Sequence, residues 1–143
     1  MSDKVTEPDL GEDIVQALIE AGLTAARRCN VCVSLAIVDA GGHLLGFLRM
    51  SGVHTATTEV AQAKARSAAA FRRSTRSFAQ QLADGNLALL AVPGCVPLPG
   101  GIPLLHRQRM IGAAGVSGAS PDVDEAIAET MYDHLHKNLL QNI

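Results

Sequence analysis

Pro99-Gly100-Gly101-Ile102-Pro103-Leu104, followed after a short polar turn by Ile111-Gly112-Ala113-Ala114-Gly115-Val116-Ser117-Gly118, is the stretch on which the fold depends. Glycine weakens a strand and needs a local reason. At this density, inside apolar strand-like segments, the backbone must either twist sharply or admit something close, a ligand or a tightly packed neighbour. Gly101 to Leu105 and Arg109 to Val116 read as a hairpin turning at His106-Arg107-Gln108. The prolines at 93, 97, 99 and 103 each remove a backbone donor, which places them at a sheet edge or in a fixed loop.

A second hairpin precedes it, with Val31 to Val38 as a buried strand, Asp39-Ala40-Gly41-Gly42 as the turn and His43 to Met50 as the return. Ile14, Leu18, Gly22 and Ala25 recur on one face of residues 10–28, an amphipathic helix. Another helix opens near Thr55, with Ala61, Ala65, Ala68 and Ala69 as a small-residue stripe. Ser74 and Thr75 interrupt it and cap a third helix that runs through Leu82 and ends at Asp84-Gly85-Asn86. Leu87 to Val92 reads as a short apolar strand. Ser120-Pro121-Asp122 starts the last helix with a capping hydroxyl, a proline at the first helical position and acids at the positive end of the dipole. This order implies an α+β protein with about five mostly antiparallel strands and helices packed on them.

Val38-Asp39-Ala40-Gly41-Gly42, then Phe47-Leu48-Arg49-Met50, Ala63-Lys64-Ala65, the Pro-Gly-Gly-Ile-Pro run and Gly115-Val116-Ser117-Gly118 together resemble the GlcG/HbpS-like family. This is the haem-binding-type domain found also at the C-terminus of some corrinoid adenosyltransferases. The resemblance covers roughly residues 10 to 135 and implies a profilin-like layered sandwich. It says less of function, because chemistry lives in sites and not in folds.

The 143 residues, of which 48% are hydrophobic and 18% charged, suit a single soluble domain over 1–143 with no membrane span. Aromatic residues make up 3% and tryptophan is absent, so the core is built of Ala, Val, Leu and Ile. Such a small apolar domain exposes patches that a second copy would cover, which implies a homo-oligomer. A net charge of −2 without a long basic run argues against nucleic acid as partner. Arg72, Arg73 and Arg76 form the densest basic patch, read as a solvated or interface feature. Met1-Ser2-Asp3-Lys4-Val5 has no apolar segment, which suggests a cytoplasmic protein. Cys29-Asn30-Val31-Cys32 falls between a helix end and a strand start, where the helix dipole does not favour a thiolate, and reads as buried small hydrophobes. No metal site is expected.

Four charged residues stand out. Arg49 ends a strand that should be half buried, Lys64 interrupts the alanine stripe, His54 precedes the second helix and Asp39 closes the first strand. A buried charge must be paired or bound. Arg49 and Lys64 therefore either pair internally with Asp39 or Glu59, or converge with Thr55 at the helix start on a ligand carboxylate. In the second case Gly100, Gly101 and Pro103 approach the ligand, and His106 follows in the same loop. Histidine is the side chain type suited to proton transfer or ligation near neutral pH, which singles out His54. Its bland alternative is a surface histidine. His134 and His136 lie two apart on a helix and face different sides.

Haem-binding relatives use an axial ligand in the first helix, and residues 10–28 hold no histidine here. Haem would therefore depend on His54, Cys or Met, or on propionates against Arg49 and Lys64. Two functions follow as expectations. One is a binding protein for a small anionic ligand, haem or another carboxylate; the other is a cofactor-independent lyase, hydratase or isomerase on an aromatic or hydroxy acid. In the enzyme, His54 would be the acid/base and Arg49 the carboxylate anchor.

Overall fold

A computed structural model describes residues 10–140. Met1 to Val5, which carried the cytoplasmic expectation, lie outside them. The chain runs α1 (Glu12–Arg28), β1 (Ser34–Asp39), β2 (Leu44–Arg49), α2 (Ala56–Phe71), α3 (Thr75–Ala83), a 3₁₀ turn (Leu87–Ala91), β3 (Gly101–His106), β4 (Arg109–Ser117) and α4 (Pro121–His134), with a π turn at Leu135–Leu139. Four antiparallel strands pair in the order β2-β1-β4-β3. This is the α+β sandwich, with α2 on one face of the sheet and α1 and α4 on the other.

Both hairpins form where the glycine and proline signals put them. Pro103 sits in β3, an edge strand, where its missing donor breaks no ladder bond on the solvent side. Arg107 and Gln108 both take positive φ (50° and 67°), the two-residue turn whose twist matches that of the flanking strands.

Alternation along β1 divides the core. Leu35 and Ile37 point to α1 and α4 and join Leu18, Ile127 and Met131, whereas Ala36 and Val38 face Ala61, Ala65 and Ala68 of α2. The alanine stripe lets α2 lie close to the sheet, and the glycines complete the approach. A Cβ on Gly115 would enter the carbonyl oxygen of Ala61 and stand 2.7 Å from the nitrogen of Ala65; one on Gly101 would strike the backbone of Lys64. The neighbour that these glycines admit is the backbone of α2.

Two expectations fail. Leu87 to Val92 is no strand: Leu87-Ala88-Leu89-Leu90-Ala91 contains helix formers and no β-branched residue, and it coils into the 3₁₀ turn, leaving four strands among the described residues. Cys29 and Cys32 are exposed, because Cys29 caps α1, Asn30 turns left-handed (φ 54°) and β1 begins only at Ser34. The thiols therefore lie on a surface turn between helix and strand.

Candidate functional site

Lys64 is 3% exposed on α2, and its Nζ donates to Asp124 Oδ2 at 3.1 Å and to the Val116 carbonyl at 2.8 Å. Asp124 lies in the first turns of α4, on the opposite face of the sheet. The ammonium passes the end of β4 beyond the start of β3, beneath Gly100, where a Cβ would sit 2.9 Å from Nζ. Asp124 Oδ1 accepts from the Ala119 N–H at 2.8 Å, so both carboxylate oxygens are engaged. Burial pushes the Lys64 pKa down and the Asp124 pKa up, against their mutual attraction. The charge of Lys64 thus joins the two helical layers and is not presented to a ligand.

Neither partner named from sequence is the right one. Glu59 binds Arg66 on the surface at 2.6 Å. Asp39 uses Oδ1 to accept from the N–H groups of Gly41 and His43, both at 2.9 Å, holding the first hairpin turn. Arg49 pairs with Ser34 at the far end of β1 from Asp39, roughly 16 Å along the strand. An Asp39–Arg49 pair is excluded by register. Asp124 was overlooked because an acid near a helix start is already explained by the dipole; only the packing of α4 brings it to Lys64.

The structure brings other expected residues together. Arg49 and Phe47 share the α2 face of edge strand β2, opposite Ser34 and Ala36. Ser34 Oγ hydrogen-bonds Thr57 Oγ1 at 2.9 Å, and Thr57 Oγ1 donates to the His54 carbonyl at 2.6 Å. His54 and Thr55, both exposed, and Arg49, also exposed, therefore stand at one end of the sheet, at the entry to α2. Gly100 and Gly101 lie at the same end of the sheet but on the opposite edge, at the start of β3, against Lys64 and Thr75; Pro103 follows along β3. The Thr75 hydroxyl accepts from the Gly101 N–H at 2.9 Å and donates to the Leu98 carbonyl at 2.6 Å, fixing this loop. His106 ends β3, at the opposite end of the sheet from His54.

Among the described residues every buried side-chain nitrogen and oxygen has a partner, and no group of three or more His, Cys, Asp or Glu side chains could hold a metal. The interior polar groups thus hold the fold. A groove of about 500 Å³ lies between α1 and β2, floored by Val15, Ile19 and Leu48 and rimmed by Glu12 and Glu20. Those acids give it the wrong sign for a carboxylate ligand. Arg49 has the right one. No described helix is long and apolar enough to cross a membrane.

Fold and site define a small α+β sandwich of the profilin-like kind, its Lys64 and Asp124 charges paired in the interior and cationic and imidazole groups exposed at one end of the sheet. The chain belongs to the family described as haem degrading protein HbpS-like, whose model matches residues 10–133. It is 37% identical to Protein GlcG of Escherichia coli K12 over 112 residues, 78% of this chain and 84% of that protein. The structure of HbpS superposes with TM-score 0.82 at 30% identity, covering 94% of this chain and 96% of that one. A structure described as a PduOC:heme complex superposes with TM-score 0.80 at 28% identity, covering 88% and 94%.

Proposed function

We propose that this protein binds haem, or another planar anionic carboxylate, at the end of the sheet where Arg49, His54 and Thr55 are exposed. The observation that carries the reading is the relative of the same fold solved with haem. The residues here fit such a ligand: His54 offers an open imidazole, Arg49 a guanidinium for a carboxylate, and Phe47 an aromatic ring on the same strand face. Bound haem would supply a redox-active iron. The open position of His54 suits ligation more than proton transfer in a water-excluding cavity.

The protein acts as a homo-oligomer in this reading. Leu87 and Leu90 are 68% and 66% exposed, and with Val92 and Leu98 they make an apolar strip on one connection that a second subunit would cover.

The test is hemin titration followed by absorbance. A Soret band saturating at one haem per subunit is expected, with His54→Ala moving the band and His134→Ala or His136→Ala leaving it in place. Arg49→Met should weaken binding by about 1.5–3 kcal/mol, the scale of a hydrogen bond to a charged group. Equal, negligible effects of the three histidine changes would remove His54 as ligand, and an unmoved affinity in Arg49→Met would remove the carboxylate anchor.

A further inference from the structure

The outward face of α1 carries one acid and one base that the fold leaves unpaired. Glu20, Thr24 and Arg28, each four residues from the next, are exposed along one line of the helix, on the side turned away from Leu18, Gly22 and Ala26 in the core. Among the described residues no ion pair reaches Glu20 or Arg28. At 1.5 Å of rise per residue they stand about 12 Å apart along the axis, beyond the four-residue spacing at which a helix pairs its own charges.

Beside this line runs a groove of about 380 Å³ between α1 and α4, with Thr130 and His134 on its far wall. Its α1 side is built of Ala17, Ala21 and Ala25, again four apart and half-buried. Side chains that short leave room for a ridge of another helix to settle against α1.

The charges say which helix. A two-fold axis makes an interface self-complementary: where one residue meets a second, the second also meets the first. Glu20 and Arg28 lie at equal distances on either side of Thr24. With the axis at Thr24, antiparallel copies of α1 therefore bring Glu20 of each chain opposite Arg28 of the partner subunit. A foreign helix would need a base and an acid at the same spacing, whereas a second copy of this chain has them by symmetry.

We propose that α1 packs antiparallel against α1 of a second copy about a two-fold axis at Thr24, with a Glu20–Arg28 ion pair at each end. One such helix pair, overlapping over little more than two turns, falls short of the roughly 1,200 Å² that stable interfaces bury. Chains already joined at the Leu87 and Leu90 strip present two helix faces at once, and the second pair then forms at high effective concentration. The strength of the contact, though not its pairing rule, rests on the oligomer reading above, and the resulting assembly has four chains.

Light scattering of the full chain and its charge reversals at micromolar concentration tests it. The unaltered protein should have about four times the 15.0 kDa of one chain. Glu20→Arg and Arg28→Glu should each halve that mass, since either sets like charges against each other at both ends of the helix pair. Mixing these two variants in equal amounts should restore it, because every arginine of one then faces a glutamate of the other. The double reversal within one chain should restore it as well. Thr24→Lys, which sets two ammonium groups on the axis, should halve the mass, and Glu59→Arg, on α2 across the sheet, should leave it unchanged. If a single reversal fails to fold by circular dichroism, Thr24→Lys and the double reversal decide. Reversals that keep the full mass would overturn the α1 pairing and leave the Leu87 strip standing, whereas a monomeric unaltered protein would end both. A mixture that stays at half mass, or an equal loss from Glu59→Arg, would also overturn the proposal.

Discussion

Removing the Lys64 ammonium leaves Asp124 as an unpaired carboxylate whose side chain is 4% exposed. In Lys64→Met, Asp124 keeps its bond from the Ala119 N–H but loses the partner of Oδ2, and the Val116 carbonyl loses its donor. Breaking a buried pair from one side costs about 3–5 kcal/mol. At roughly 4 °C per kcal/mol, melting should fall by roughly 12–20 °C. Asp124→Asn should cost a similar amount, because it strands the ammonium.

The double variant, Lys64→Met with Asp124→Asn, behaves differently. The amide that replaces the Asp124 carboxylate can still accept from the Ala119 N–H, no charge is buried, and the residual cost is that of two unsatisfied neutral groups, the new amide N–H and the Val116 carbonyl, about 1–3 kcal/mol each at most. Thermal or urea melts of all four proteins make a double-mutant cycle. The sum of the two single losses should far exceed the double loss. Losses that simply add, or a Lys64→Met penalty below about 1 kcal/mol, would refute the cross-layer role of the pair.

The pH dependence follows from the signs. Lys64 has its folded pKa lowered by burial, so the unfolded chain binds more protons, and stability rises with pH between that lowered value and the ordinary lysine range. Asp124 has its folded pKa raised by burial, so its contribution is present below the ordinary carboxylate range and lost as pH rises through the raised value. The stability difference between the unaltered protein and the double variant should show both slopes, and a flat difference across pH would contradict them.

Gly115→Ala should destabilise by about 3 kcal/mol or more in denaturant melts, because the new methyl enters the Ala61 carbonyl and the helix backbone cannot retreat without opening the core. Thr75→Val should cost about 2–3 kcal/mol, since it leaves the buried Gly101 N–H without an acceptor and frees the Leu98 carbonyl. Light scattering should give a mass well above the 15.0 kDa of one chain, and Leu87→Glu with Leu90→Glu should bring it down to that value. A clean monomer before substitution would end the oligomer reading.

Sequence and structure part company along the range of the forces involved. Both hairpins and the four helices were legible because turn chemistry, capping and helical periodicity act between near neighbours; the two faces of β1, a run buried throughout, were not. The close approach around Gly101 and Gly115 was legible too, but not its partner, since ligand and helix demand the same missing Cβ. Leu87 to Val92 misled because a short apolar run has no period of its own.

For the charged residues, sequence alone established that Lys64 interrupts an apolar stripe and so requires an anion. Which anion was settled by the layering of α2 and α4 on opposite faces, which carries Asp124 past the end of β4 to within 3.1 Å of Nζ. Register separated Arg49 from Asp39, and the same register set Arg49 beside Ser34 and, through Thr57, near His54. Local rules determine that a charge needs a partner; only the packed sheet determines which of the distant candidates can reach it, because contact falls off within a few ångströms and chain separation sets no such limit.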